Sequence, residues 1–96
     1  MTNPTTPTVY NVPMDVANTE YSQALPTGTK KFTIKLRDST AFRLAYETGK
    51  VYSPASKYLV INDGFGYSEE NIEVTALTLY FASAVNTKIA EIVAWV

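Results

Sequence analysis

Nine carboxylates and eight cationic side chains, with neither a histidine nor a cysteine, bound the chemistry open to this chain of 96 residues. The missing histidine removes the commonest general base and the commonest zinc ligand. The missing cysteine removes thiolate nucleophiles, thiolate metal sites and disulfides. Paired carboxylates remain as an acid–base device, since any nine carboxylates include some pairs. Glycoside hydrolysis, however, needs two carboxyl groups about 5 to 9.5 Å apart across a cleft, and a chain this short has little material for one. Asn62-Asp63-Gly64 lacks the regular oxygen spacing of a calcium loop and reads as a turn. There is no phosphate-binding glycine loop, serine elbow or dinucleotide fingerprint. The expectation is a non-enzymatic protein with no cofactor and no metal.

Binding is the chemistry left. Lys30, Lys31, Lys35, Arg37 and Arg43 fall within fourteen positions, and Lys31, Lys35, Arg37 and Arg43 would share the wet face of one hairpin. Glu69, Glu70 and Glu73 make an opposite pole, so that complementary surfaces would orient copies of the chain on one another or on a partner. The alternative is ordinary solvated sheet surface with edge lysines that discourage aggregation. Seven tyrosines against four phenylalanines and one tryptophan give a polar-leaning aromatic set. Tyr46, Tyr52, Tyr58, Phe65 and Tyr67 lie in or beside the loop-rich middle; they suit a flat contact surface or stacking on a sugar face, or else tyrosines at sheet edges with the hydroxyl in water. A formal charge of −1 argues against nucleic acid as partner. No run reaches the roughly 18 apolar residues of a membrane-spanning helix. Met1 to Thr8 has neither the basic nor the apolar region of a secretory signal, so a cytoplasmically made, soluble protein is expected.

These residues must be positioned by a single domain, because the chain is too short for two cores. With 46% hydrophobic and 18% charged residues it can fill an interior. Residues 1–8, rich in Thr and Pro and including Pro4 and Pro7, have little to bury and read as a flexible arm before a domain at 9–96. Tyr10, Val12, Met14 and Val16 alternate with the residues between them as in a half-buried strand, which Pro13 assigns to a sheet edge. Ala17 to Lys30 reads as a polar connection ending in a Pro-Gly turn. Phe32, Ile34 and Leu36 alternate with Lys31, Thr33, Lys35 and Arg37, and Phe42, Leu44 and Tyr46 alternate after the turn Asp38-Ser39-Thr40, giving an antiparallel hairpin.

Val51-Tyr52 suits a short strand, and Tyr58-Leu59-Val60-Ile61 a more buried one. Further strands are expected near 71–75 and 76–82, with a turn about Asn86. The last segment fits either an amphipathic helix or a strand, and its β-branched residues favour the strand. The expected inward set is Val12, Met14, Phe32, Ile34, Leu36, Phe42, Leu44, Val60, Leu77, Leu79, Phe81, Ile92 and Val93. Seven or eight short strands with such turns make an all-β fold, an antiparallel jelly-roll-like β-sandwich or a small barrel.

The stretch from Thr19-Glu20-Tyr21-Ser22, through Leu25-Pro26-Thr27-Gly28-Thr29-Lys30-Lys31-Phe32 and Lys35-Leu36-Arg37, to Leu79-Tyr80-Phe81-Ala82-Ser83 and Ala94-Trp95, resembles small all-β proteins encoded among the structural genes of tailed bacteriophages. The resemblance covers most of residues 9–96, and its motifs are structural. It implies a virion component made in the host cytoplasm: a capsid decoration or cement protein first, and a neck, tail or head-fibre component next. The implied partners are the major capsid protein or other virion proteins, bound by a homo-oligomer such as a trimer. A module for carbohydrates or receptors, with Tyr52, Tyr58, Phe65 and Tyr67 as its platform, is the competing expectation.

Overall fold

A computed structural model describes residues 7–51, 57–72 and 75–96. Eight strands form, β1 (Pro7–Met14), β2 (Tyr21–Ala24), β3 (Lys31–Leu36), β4 (Phe42–Ala45), β5 (Leu59–Ile61), β6 (Tyr67–Glu70), β7 (Thr78–Ala82) and β8 (Lys88–Trp95), with no helix among the described residues. They make two antiparallel four-stranded sheets, ordered β1-β8-β3-β6 and β2-β7-β4-β5. The pairing is nested: β1 with β8, β2 with β7, β3 with β6 and β4 with β5. Contacts of β8 with β3 and of β7 with β4 then join the pairs within each sheet.

Alternation decides which side chains meet. Tyr10, Val12 and Met14 on β1, Ala90, Ile92 and Ala94 on β8, and Phe32, Ile34 and Leu36 on β3 pack from the first sheet. Phe42, Leu44, Ile61, Leu79 and Phe81 meet them from the second, giving one sandwich-like core. The C-terminal segment is therefore a strand, buried on one face through Ala90, Ile92 and Ala94. Its β-branched residues suit the pleat, and hydrogen-bonding neighbours on both edges leave no reason to coil into a helix. A smaller cluster of Ala45, Val51 and Ala82, with Tyr58 and Tyr80 against it, lies on the opposite face of the second sheet. Thr48 Oγ1 and the Gly49 amide both donate to the Glu20 carboxylate, which pins the connection after β4.

Several expectations need correction. Pro7 and Thr8, assigned to the arm, belong to β1 opposite Trp95 and Ala94, since an edge strand can begin on a proline without losing a ladder bond. Pro4 and the rest of residues 1–6 lie outside the described residues. The runs at 31–37 and 42–46 do not form a hairpin: β3 and β4 stand in different sheets, because β8 and β6 take both edges of β3 while β7 and β5 take those of β4. The apolar run before Asn62 is an edge strand, so Ile61 is buried while Val60 is 62% exposed. Val93 faces away from the core, one register step from Ile92. Strands β2 and β6 replace the polar connection expected at 17–30 and the strand expected near 71–75, whose residues 73 and 74 lie outside the described ones. Val51 is in a turn, and Tyr52 is outside the described residues.

Each of the seven connections carries one left-handed residue among the described ones: Gly28, Gly49 and Gly64 in three, and Asn18, Ser39, Asn71 and Thr87 in the others. Thr87, at φ 61°, is the costly one, because a β-branched side chain crowds the backbone there. Thr87→Asn should raise unfolding stability by about 0.5–1 kcal/mol, since asparagine tolerates this conformation. Ile92→Ala, in the middle of the core, should lower it by about 2–5 kcal/mol. Urea denaturation followed by tryptophan fluorescence measures both.

Candidate functional site

A concave site that joins aromatic rings to a carboxylate lies where β6 meets the core. Gly66 runs against β3 so closely that a Cβ there would sit 3.1 Å from the Ile34 carbonyl oxygen and 3.2 Å from Lys35 Cβ. A residue without a side chain lets the strand dock. The register then sets Tyr67 opposite Ile34 and Glu69 opposite Phe32, so both point toward the interior while Ser68 and Glu70 point away. Phe32 forms the floor, with its ring centroid 6.2 Å from that of Tyr67 at 43° and 6.5 Å from that of Tyr46 at 76°. Ile72 and Leu77, from the connection between β6 and β7, complete a cavity of about 310 Å³. The Ile72 amide donates to the Lys30 carbonyl and the Leu25 amide to the Leu77 carbonyl, so this wall is tied to the sheets.

The polar groups in the cavity are linked. The Tyr67 hydroxyl donates to Glu69 Oε1. That bond to the carboxylate is the main cause pushing the Tyr67 phenol well above its ordinary pKa, and burial and Tyr46 add to it. Tyr46 is also raised, chiefly by burial, with the Tyr67 hydroxyl opposing and the Glu69 charge assisting. Both phenols therefore stay protonated, and no ion pair of Glu69 exists among the described residues.

The expected basic patch divides. Lys31, Lys35 and Arg37 share the outer face of the first sheet, whereas Arg43 lies on the outer face of the second, where its guanidinium donates to Asn18 Oδ1 at 2.9 Å. Charges are also interleaved rather than segregated, because cross-strand register sets β8 beside β3. Glu91 takes Lys35 at 3.1 Å and Arg37 at 2.8 Å, which lowers its carboxyl pKa, Arg37 acting most strongly. Lys31 lies 4.8 Å from the centre of the Trp95 ring, a cation–π contact, and opposite the outward Glu70. Asp38 pairs with Lys88, and that hydrogen bond, helped by Thr40, lowers its pKa to about 2.

The acidic pole does not form as expected either. Glu69 turns inward, Glu70 outward, and Glu73 is outside the described residues. The aromatic platform is likewise split: Tyr58 packs on the outer side of the second sheet, Tyr67 faces the core, and Phe65 is 66% exposed in the loop before β6. Tyr46 and Glu69 acquire a role beside Tyr67 that sequence spacing did not reveal, since Tyr46 reaches the site from the other sheet. Comparison with protein families, with curated proteins and with solved structures finds nothing that matches this chain.

Tyr67→Phe should cost about 0.5–1.5 kcal/mol by removing a partner of a half-buried carboxylate, and should delete one late-ionising phenol from an alkaline absorbance titration. The linkage has a definite sign. A phenol whose folded pKa is raised contributes stability that is complete below its unfolded value of about 10 and is lost as pH rises from there toward the folded value. The decline in wild-type stability above that pH should be shallower in the Phe variant. At the acid end, NMR titration of Asp38 should return its pKa toward the ordinary carboxylate range in Lys88→Met.

Proposed function

We propose that this chain is a non-enzymatic structural protein of a tailed-bacteriophage virion, a decoration or cement protein that binds the shell as a homo-oligomer and bridges its subunits. One observation carries the reading furthest: apolar side chains stand in solvent on edge strands at opposite flanks of the fold. Val9 on β1 is 61% exposed, and Leu59 and Val60 on β5 are 42% and 62% exposed. Strand β1 ends one sheet beside β2, while β5 ends the other sheet at its far side. Two separated apolar edges are what a bridging protein needs, because each can take a different neighbour.

The strand order adds support at the level of fold. Nested antiparallel pairs wound into sheets β1-β8-β3-β6 and β2-β7-β4-β5 suit an eight-stranded jelly roll, an architecture that serves viral capsid and lectin domains alike. Fold alone does not select between those uses. The division of the aromatics between faces gives a sugar platform of Tyr58, Phe65 and Tyr67 less support than the exposed edges give a lattice contact.

The test is co-sedimentation with assembled capsids and, separately, with isolated tails. Binding to capsids is expected, with occupancy falling about tenfold or more in Val9→Lys and in Val60→Lys while urea midpoints stay near wild type. Binding to tails alone would move the protein to the neck, tail or fibre class. Binding to neither, or unchanged occupancy in both variants, would refute the lattice role.

A further inference from the structure

We propose that the cavity between β6 and the core is a binding site for an organic ammonium group. The lining is an incomplete aromatic box with one acidic wall. Phe32, only 1% exposed, closes the bottom, and the rings of Tyr46 and Tyr67 stand at 76° and 43° to it, so the three do not form the single plane that stacking on a sugar ring requires. Ring systems arranged around a space attract a cation through their quadrupoles.

The polar equipment has the complementary bias. Glu69 brings a carboxylate, and its only hydrogen-bond partner among the described residues is the Tyr67 hydroxyl at Oε1. Because Tyr67 spends its proton on that bond, its oxygen is left as an acceptor, shared with the neighbouring Tyr46 hydroxyl. Among the described residues no lysine lines this cavity, and Lys57, which lines the neighbouring one around Tyr58, is separated from it by their shared wall, Tyr46. The site thus offers acceptors, aromatic rings and one negative charge, in about 310 Å³. That is room for a trimethylammonium or butylammonium group, and the apolar Ile72 and Leu77 suit its carbon atoms.

Such a group can come from a free amine or from a lysine side chain, and the experiment separates the two. Choline, n-butylammonium, Nα-acetyl-lysine methylamide and methyl β-glucoside are titrated into the 15N-labelled chain, with 3,3-dimethyl-1-butanol as the uncharged counterpart of choline. The backbone amides of Glu69, Ile72 and Leu77 are followed. Choline should shift these amides with an affinity at least about tenfold above that of the neutral alcohol, and Glu69→Gln should weaken choline about tenfold. Tighter binding of the lysine derivative than of n-butylammonium assigns the site to a protein side chain, and the reverse order to a free amine. Equal binding of choline and the alcohol by the wild-type protein overturns the proposal without any variant. So does binding of the glucoside in place of choline, or undiminished choline binding in a natively folded Glu69→Gln.

Discussion

The whole arrangement depends on the pairing of β8 with two partners at once. Its inward residues alternate small and large, Ala90, Ile92 and Ala94, and all are fully buried. Beside it, β1 brings Tyr10 and Val12 while β3 brings Phe32, Ile34 and Leu36, so the bulk missing at the alanines is supplied from the flanking strands. A one-residue slip of β8 would turn Glu91 into the core and Ala90, Ile92 and Ala94 into water. The same slip would separate Glu91 from Lys35 and Arg37 and Trp95 from Lys31. Core packing and outer-face electrostatics are therefore two readings of one register.

That register also explains the modest electrostatic character of the molecule. Lys35 and Arg37 share a single carboxylate, and exposed pairs of this kind contribute only about 0–1 kcal/mol each. Their main effect is to neutralise a face that would otherwise be basic. What remains exposed on the surface includes apolar side chains, Val9, Leu59 and Val60 on edge strands and Val16, Phe65 and Val85 in loops, while Glu69, beside aromatic rings, is drawn inward on β6. The exposed apolar edges and the aromatic cavity thus occupy different parts of the fold, so the two proposals built on them stand or fall separately.

Much of this was legible in the sequence wherever a strand alternates apolar and polar residues. The patterns at Phe32-Ile34-Leu36, Phe42-Leu44 and Leu79-Phe81 identify β3, β4 and β7 with their faces, and Pro13 marks an edge. The strands that escaped are those whose inward positions hold polar residues: Gln23 on β2 and Glu69 on β6 break the hydrophobic period, although each stands opposite a core residue. A continuous apolar run misled in the opposite way, because Tyr58 to Ile61 is apolar on both faces and yet lies at an edge. The cavity was hidden for a further reason. Phe32, Tyr46 and Tyr67 come from strands or strand ends in both sheets, and only the crossing between β3 and β4, mistaken for a hairpin turn, brings them together.

The nested order has a consequence for how the chain reaches this state. Only β4 and β5 are neighbours both in sequence and in a sheet, and even they are joined by a connection running from residue 46 to 58. Every other pair spans a longer loop, up to β1 and β8, which bring Pro7 to Trp95. Each such closure loses chain entropy before its contacts repay it, so folding belongs in the millisecond-to-second range of about 10⁻³ to 1 s typical of sandwiches with non-local pairing. Until β8 docks, β1 and β3 both present open, hydrogen-bond-hungry edges. In a crowded cell that interval is when one copy can capture the strand of another, and its length is set by topology rather than by the strength of any single contact.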